Sequence, residues 1–419
     1  MNQIPVNHNP VSYSDEFIKE MPKSDLHLHL DGSLRLESLL EMAKVTHTEL
    51  PSNTVSGMKE LVFKDKYNDL GEYLHCFQYT CSVLRDLENL ERAAYELAID
   101  NQLEGVNYIE VRFAPQLLTN PGKGIHQDQI LEAVNNGLNR AKQQYNQQSE
   151  VQQGLKPRFE YGIIACALRM FTGKGFSPYY TKIFNALSEF EPMEVIQLAA
   201  MDMVKACVRI RDDKGIPIVG VDLAGQEAGY PAGKFKDVYK FAHQNFMSKT
   251  IHAGEAYGAE SVFEAITECY ADRIGHGYSL FIPDMIVDPK ITDHQKYVNS
   301  LASFIADKRI AIEVCLTSNL QTNPQITDIK NHKFNDILDH RIATTLCTDN
   351  RLVSNTTVSN EYRLAIDNFD ISFNRLKDIV ADGFKKSFFG HDYVNKRIYA
   401  KDCMNYFNRV AAKHGLLVD

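Results

Sequence analysis

Near its start the chain reads Ser24-Asp25-Leu26-His27-Leu28-His29-Leu30-Asp31-Gly32-Ser33. In a β-strand, side chains two apart share a face, so His27 and His29 project together while the leucines face away. Such a pair is half of a metal site. Three later segments place polar groups where an apolar run ends: Thr250-Ile251-His252-Ala253-Gly254-Glu255, Arg273-Ile274-Gly275-His276-Gly277 and Cys347-Thr348-Asp349-Asn350. Taken singly, His252 or His276 suits a hydrogen-bonded core position and Asp349 a helix cap. Taken together, His27, His29, His252 and Asp349 form a set of neutral imidazoles and one carboxylate that suits Zn²⁺ with a position open for water, although the same donors accept Fe²⁺, Co²⁺ or Mn²⁺. Such an ion lowers the pKa of bound water from about 15.7 to roughly 7. His276 and Glu255 are then left to handle protons.

Eight runs have strand character: 25–30, 106–114, 159–168, 217–223, 250–253, 273–276, 310–316 and 342–347. Between them lie stretches with apolar residues three and four apart, at 70–104, 127–144, 192–213, 234–248, 259–270 and 299–307. This alternation predicts a parallel sheet. An open sheet centres its ligand on one crevice, whereas a barrel collects residues from the ends of many strands. Polar groups at the ends of several different runs favour a (β/α)8 TIM barrel.

Composition agrees with a large core, since 44% of residues are hydrophobic and 24% charged. A formal net charge of −9 argues against nucleic acid or an anionic membrane as partner and leaves a small molecule. Residues 1–20 lack an export signal, no apolar run approaches the ~20 residues of a membrane span, and the eight cysteines are scattered. A cytoplasmic protein with reduced thiols is expected. No composition shift cuts the chain, so one barrel domain is expected over 1–419, with 1–20 as an extension and amphipathic helices over 357–419 packing on the barrel. The glutamine-rich stretch 144–157 reads as a helix end and surface loop, and 281–297 as a long packing excursion after the sixth strand.

The segments Pro22 to Ser33, Glu110-Val111-Arg112-Phe113-Ala114-Pro115, Val221-Asp222-Leu223-Ala224-Gly225, His252 to Glu255, Arg273 to Tyr278 and Thr348-Asp349-Asn350 together, and in this order, resemble the adenosine deaminase family. The resemblance implies an amidohydrolase-type barrel with one catalytic Zn²⁺ held by His27, His29, His252 and Asp349. It implies that an activated water attacks C6 of a purine, that Glu255 protonates N1, and that His276 takes a proton from the water and stabilises the hydroxide. Asp31 would bind a ribose hydroxyl, Gly225 would offer its backbone N–H to N3, and His29 would also face the substrate. Ser33 and Arg112 would support the pocket, Arg112 by pairing with a carboxylate behind it.

Asn350 departs from the pattern, because better-known members carry a second aspartate there that contacts N7. An amide N–H can donate to N7 without first acquiring a proton, so activity should survive. The expected reaction is deamination of adenosine or 2′-deoxyadenosine to inosine or 2′-deoxyinosine and ammonia. The alternatives are another 6-aminopurine (adenine, or an N6-alkylated or 5′-modified adenosine) and a non-catalytic nucleoside-binding protein. A binuclear hydrolase would need a bridging carboxylated lysine at the fourth strand, where this chain has Asp222-Leu223-Ala224-Gly225.

Overall fold

Parallel strands buried on both faces need continuous apolar runs, and the eight runs form such strands: β1 (Lys23–His29), β2 (Val106–Phe113), β3 (Glu160–Leu168), β4 (Ile218–Ala224), β5 (Ser248–Ala253), β6 (Arg273–His276), β7 (Ala311–Val314) and β8 (Thr344–Leu346). The computed structural model describes residues 13–323 and 326–416. Its strands hydrogen-bond in chain order, β1 to β8, each parallel to the next. The ring closes just past β8, where Asp349 donates its N–H to the His27 carbonyl and His29 donates to the Asp349 carbonyl, both at 2.8 Å. The expected (β/α)8 barrel is therefore present. Three metal-site candidates, His27, His29 and Asp349, share the hydrogen bonds that close it.

The helical stretches mostly form where the apolar spacing predicts, as in Gln127–Asn146 and Pro192–Lys214. The stretch 70–104 does not form one helix. It breaks into Leu70–His75, Phe77–Val83 and Leu87–Leu103: the first break falls at Cys76 without a side-chain cap, and the second at Asp86, whose carboxylate accepts backbone N–H groups and starts the third helix. The break turns Leu70, Tyr73, Leu74 and Phe77 toward the barrel mouth. The helix expected at 299–307 starts earlier, at His294, capped by Asp293. The preceding excursion is pinned outside the barrel, with the Glu260 carboxylate accepting the N–H groups of Val287 and Asp288 at 3.0 and 2.7 Å.

Of the extension expected at 1–20, residues 1–12 lie outside the described part, and Asp15–Glu20 is a helix whose Phe17 packs edge-on against Phe407. The C-terminal part forms three helices, Val358–Asn368, Phe373–Lys386 and Tyr393–Lys413, and residues 417–419 again lie outside the described part. All eight cysteines are buried and unpaired. Among the described residues no helix is long and apolar enough to cross a membrane.

The inside of the barrel is charged beneath the mouth. Arg112 bonds Asp222 at 3.1 Å and Glu313 at 2.9 Å, and donates to the Leu26 carbonyl. Arg273 bonds Glu313 at 2.6 Å and also pairs with Glu110. These side chains are essentially inaccessible to solvent. Removing one partner of a buried pair leaves an uncompensated charge, which costs more than the pair contributes. Arg112→Leu should therefore lower unfolding free energy by about 3–5 kcal/mol in urea titration, and a loss below ~1 kcal/mol would contradict the network's assigned role.

Candidate active site

At the C-terminal mouth of the barrel one donor atom from each of His27, His29, His252 and Asp349 falls within 4.8 Å of the others. Asp349 Oδ1 lies 3.5 Å from both His27 Nε2 and His29 Nε2, and the two Nε2 atoms of His29 and His252 are 3.4 Å apart. Ligand atoms sharing one Zn²⁺ at about 2.0–2.2 Å are expected roughly 3.3 Å apart, so the spacing fits a small divalent cation. His27 Nε2 is buried without a hydrogen-bond partner, an orphan that a metal would satisfy.

The imidazoles are aimed by carboxylates behind them. His27 Nδ1 lies 2.9 Å from Glu313 Oε2, and His252 Nδ1 lies 3.0 Å from Asp222 Oδ1. A proton on each Nδ1 leaves the Nε2 lone pair facing the cluster. Asp222 and Glu313 stay ionised: burial opposes this, but His252 and Arg112 lower the one, and Arg112 and Arg273 the other, well below the carboxylate range. Burial lowers the pKa of His29 and His252, keeping them neutral and fit to bind a cation. Asp349 uses its other oxygen to accept from Ser318 Oγ at 2.6 Å and Tyr73 Oη at 3.4 Å. Asp349 and His276 adopt left-handed backbone angles, φ 60 and 64, where the strand ends turn to aim them.

Beside the cluster opens a cavity of about 330 Å³ walled by Leu74, Phe77, Leu117, Met170 and Phe171. Of the candidate residues, His29, His252, Asp349, Asp31, Gly225, Glu255, His276 and Asn350 all reach it. Burial, then Asp349 and Glu227, push the Glu255 pKa up to about 8, so this carboxyl carries a proton at neutral pH. Burial pushes His276 the other way, well below the usual histidine range, so it is neutral. The two face each other at 4.0 Å. A protonated acid and a neutral imidazole beside a metal cluster can activate water and protonate what the water attacks.

Asp31 is raised to about 7 by burial, and its Oδ1 has no hydrogen-bond partner, with His29 Nδ1 3.8 Å away. Gly225 has φ 89 at the end of β4, an angle costly for any residue with a Cβ, and leaves bare backbone against the cavity. Asn350 Nδ2 donates to Tyr73 Oη at 2.8 Å, so one of its two amide hydrogens is already engaged. Ser33 supports from behind, accepting the Arg351 N–H at 2.9 Å. Arg112 pairs with the carboxylates behind the metal cluster, as expected for a supporting residue.

Sequence reasoning missed the roles of Glu313, Asp222, Tyr73 and Ser318. Glu313 did carry a signal, as a charged residue inside the apolar run 310–316. Tyr73 carried none, since it fits the apolar spacing of a helix.

Compared with known proteins, the chain matches the family described as Adenosine deaminase over residues 22–170 and 185–400. It is 34% identical to an adenosine deaminase of Mycobacterium marinum over 377 residues, covering 90% of this chain and 92% of the relative. Among solved structures, the Arabidopsis N6-mAMP deaminase is 26% identical with a TM-score of 0.69, covering 93% of this chain and 99% of its own. An amidohydrolase from Burkholderia ambifaria with bound Zn shares the fold at 17% identity and a TM-score of 0.74, covering 98% of both chains.

If the four donors hold one cation, His29→Ala should lower metal content at least ~10-fold by elemental analysis of the purified protein. Full occupancy in that variant would remove His29 from the ligand set.

Proposed function

The chain belongs to the adenosine deaminase family, and on that premise we propose that it deaminates adenosine and 2′-deoxyadenosine hydrolytically, using one Zn²⁺ on His27, His29, His252 and Asp349. Zn²⁺ at this position supplies a Lewis acid that makes water nucleophilic at neutral pH. The observation that carries the reading is Glu255, a buried carboxyl with its pKa near 8 that faces His276 beside the four-donor cluster. Glu255 delivers its proton to N1 of the purine, drawing electron density from C6 so that a tetrahedral centre can form there. His276, kept neutral by burial, takes a proton from the water as its oxygen bonds C6, and the C6–N bond then breaks with the amine leaving as ammonia.

The remaining groups recognise a nucleoside. The unpartnered Oδ1 of Asp31 accepts a ribose hydroxyl, and the Gly225 N–H donates to N3. Asn350 keeps one amide hydrogen for N7 while Tyr73 holds the other. The neutral amide thereby replaces a carboxyl that would have to be protonated to donate.

The Arabidopsis neighbour is named for a nucleotide, but no lysine or arginine lines this cavity among the described residues, and Asp31 does. A 5′-phosphate would find no lysine or arginine in this lining to offset its charge. The partner is a small-molecule purine, and the reading favours the nucleoside over its phosphate.

The Zn²⁺-loaded protein should release ammonia from adenosine with kcat/KM at least ~100-fold above that for AMP. Comparable rates would contradict the nucleoside assignment. Glu255→Gln should retain its metal and lose at least ~100-fold in kcat, whereas near-parent turnover would remove the proton-donor role. Because the Glu255 pKa is raised, its acid form dominates below about 8, so turnover should fall as pH climbs through that value.

A further inference from the structure

The loop after β5 carries Glu255, and its backbone N–H groups have no strand edge to pair with. Four successive ones converge instead on a single buried carboxylate, that of Glu227. Gly254 donates to Oε1 at 3.0 Å, and Glu255, Ala256 and Tyr257 donate to Oε2 at 3.0, 2.6 and 3.2 Å. Ser261 Oγ adds a further bond to Oε1. Gly254, at φ 72, supplies the turn that points these groups inward.

Glu227 is 1% exposed, does not line the cavity, and pairs with no cation among the described residues. A carboxylate offers about four lone-pair sites, so these donors saturate it and leave nothing for a substrate. Glu227 stands two residues beyond Gly225, in the loop after β4. That loop is joined to the Glu255 loop a second time, where the Gly229 N–H donates to Tyr257 Oη at 2.6 Å. Arg169 ties the same region to the metal cluster, donating to the Tyr230 carbonyl at 2.6 Å and to that of His252.

We propose that Glu227 is a positioning residue for Glu255, clamping the loop after β5 to the loop after β4 so that the N1 proton donor is held in register with the Gly225 backbone that reads N3. This rests on the deaminase reading above. The clamp fixes the backbone from which the carboxyl of Glu255 faces His276 at 4.0 Å. Its loss therefore appears in the chemical step rather than in substrate binding.

The test compares the Zn²⁺-loaded parent with Glu227→Gln, in which an NH₂ replaces one acceptor oxygen and opposes the amide donors. The clamp predicts that kcat for adenosine falls about 10- to 100-fold while KM stays within ~3-fold and metal content is unchanged. It also predicts that amide hydrogen exchange over residues 254–257 quickens at least ~10-fold in the unliganded protein. Parent-like kcat, a KM rise at constant kcat, or unchanged exchange at 254–257 would each overturn it. Glu227→Asp keeps the charge but withdraws it from the amides, and serves where the glutamine variant does not fold. A kcat loss of about 10-fold at constant KM supports the clamp, and parent kcat overturns it. A parent that releases no ammonia would overturn the deaminase reading, while amide exchange still decides the clamp.

Discussion

A histidine gives a metal its lone pair only when its other ring nitrogen carries the proton, and in a barrel interior that proton needs a buried acceptor. The rest of this structure follows from that constraint. Glu313 and Asp222 receive the Nδ1 protons of His27 and His252, and both are taken out of water to do so. Two buried carboxylates would be untenable alone, and Arg112 reaches both. Stability and the aiming of the imidazoles therefore meet in one guanidinium, and the charged layer beneath the mouth supports the four-donor cluster. The barrel seam joins the same system, since the backbones of His27, His29 and Asp349 close the ring whose side chains form the cluster.

Burial sets the acid–base chemistry through the same low-dielectric environment. It raises Glu255, keeping the carboxyl protonated, and lowers His276, keeping the imidazole neutral. One physical cause shifts two neighbouring groups in opposite directions because it penalises whichever form is charged. The proposed recognition divides between the barrel and its roof. Gly225 and Asp31 come from loops after β4 and β1, whereas Tyr73 comes from a broken helix folded over the mouth and fixes the amide of Asn350. The departure at Asn350 is thus paired with a hydroxyl able to hold it.

The barrel was legible in the chain because its strands are continuous apolar runs and because chemistry sits where those runs end. His27 and His29 were visible from their two-residue spacing. His252, His276 and Asp349 were visible because each follows an apolar run, and the family resemblance assigned their roles. What stayed hidden depends on contacts between distant elements. Glu313 meets His27 across 286 positions, and no local pattern announces that bond. The stretch 70–104 kept its apolar period through three helices, so the breaks at Cys76 and Asp86 were masked and Tyr73 passed for a core residue. Glu227 was missed because its partners are backbone amides, which leave no trace in side-chain identity.

On this reading one divalent cation on His27, His29, His252 and Asp349 makes the cavity a deaminase site. Titrating metal-stripped protein with Zn²⁺ while following ammonia release from adenosine tests it most directly. Negligible release is expected without metal, followed by a linear rise that breaks at about one equivalent per chain. Full activity in the stripped protein, or a break at about two equivalents, would contradict it.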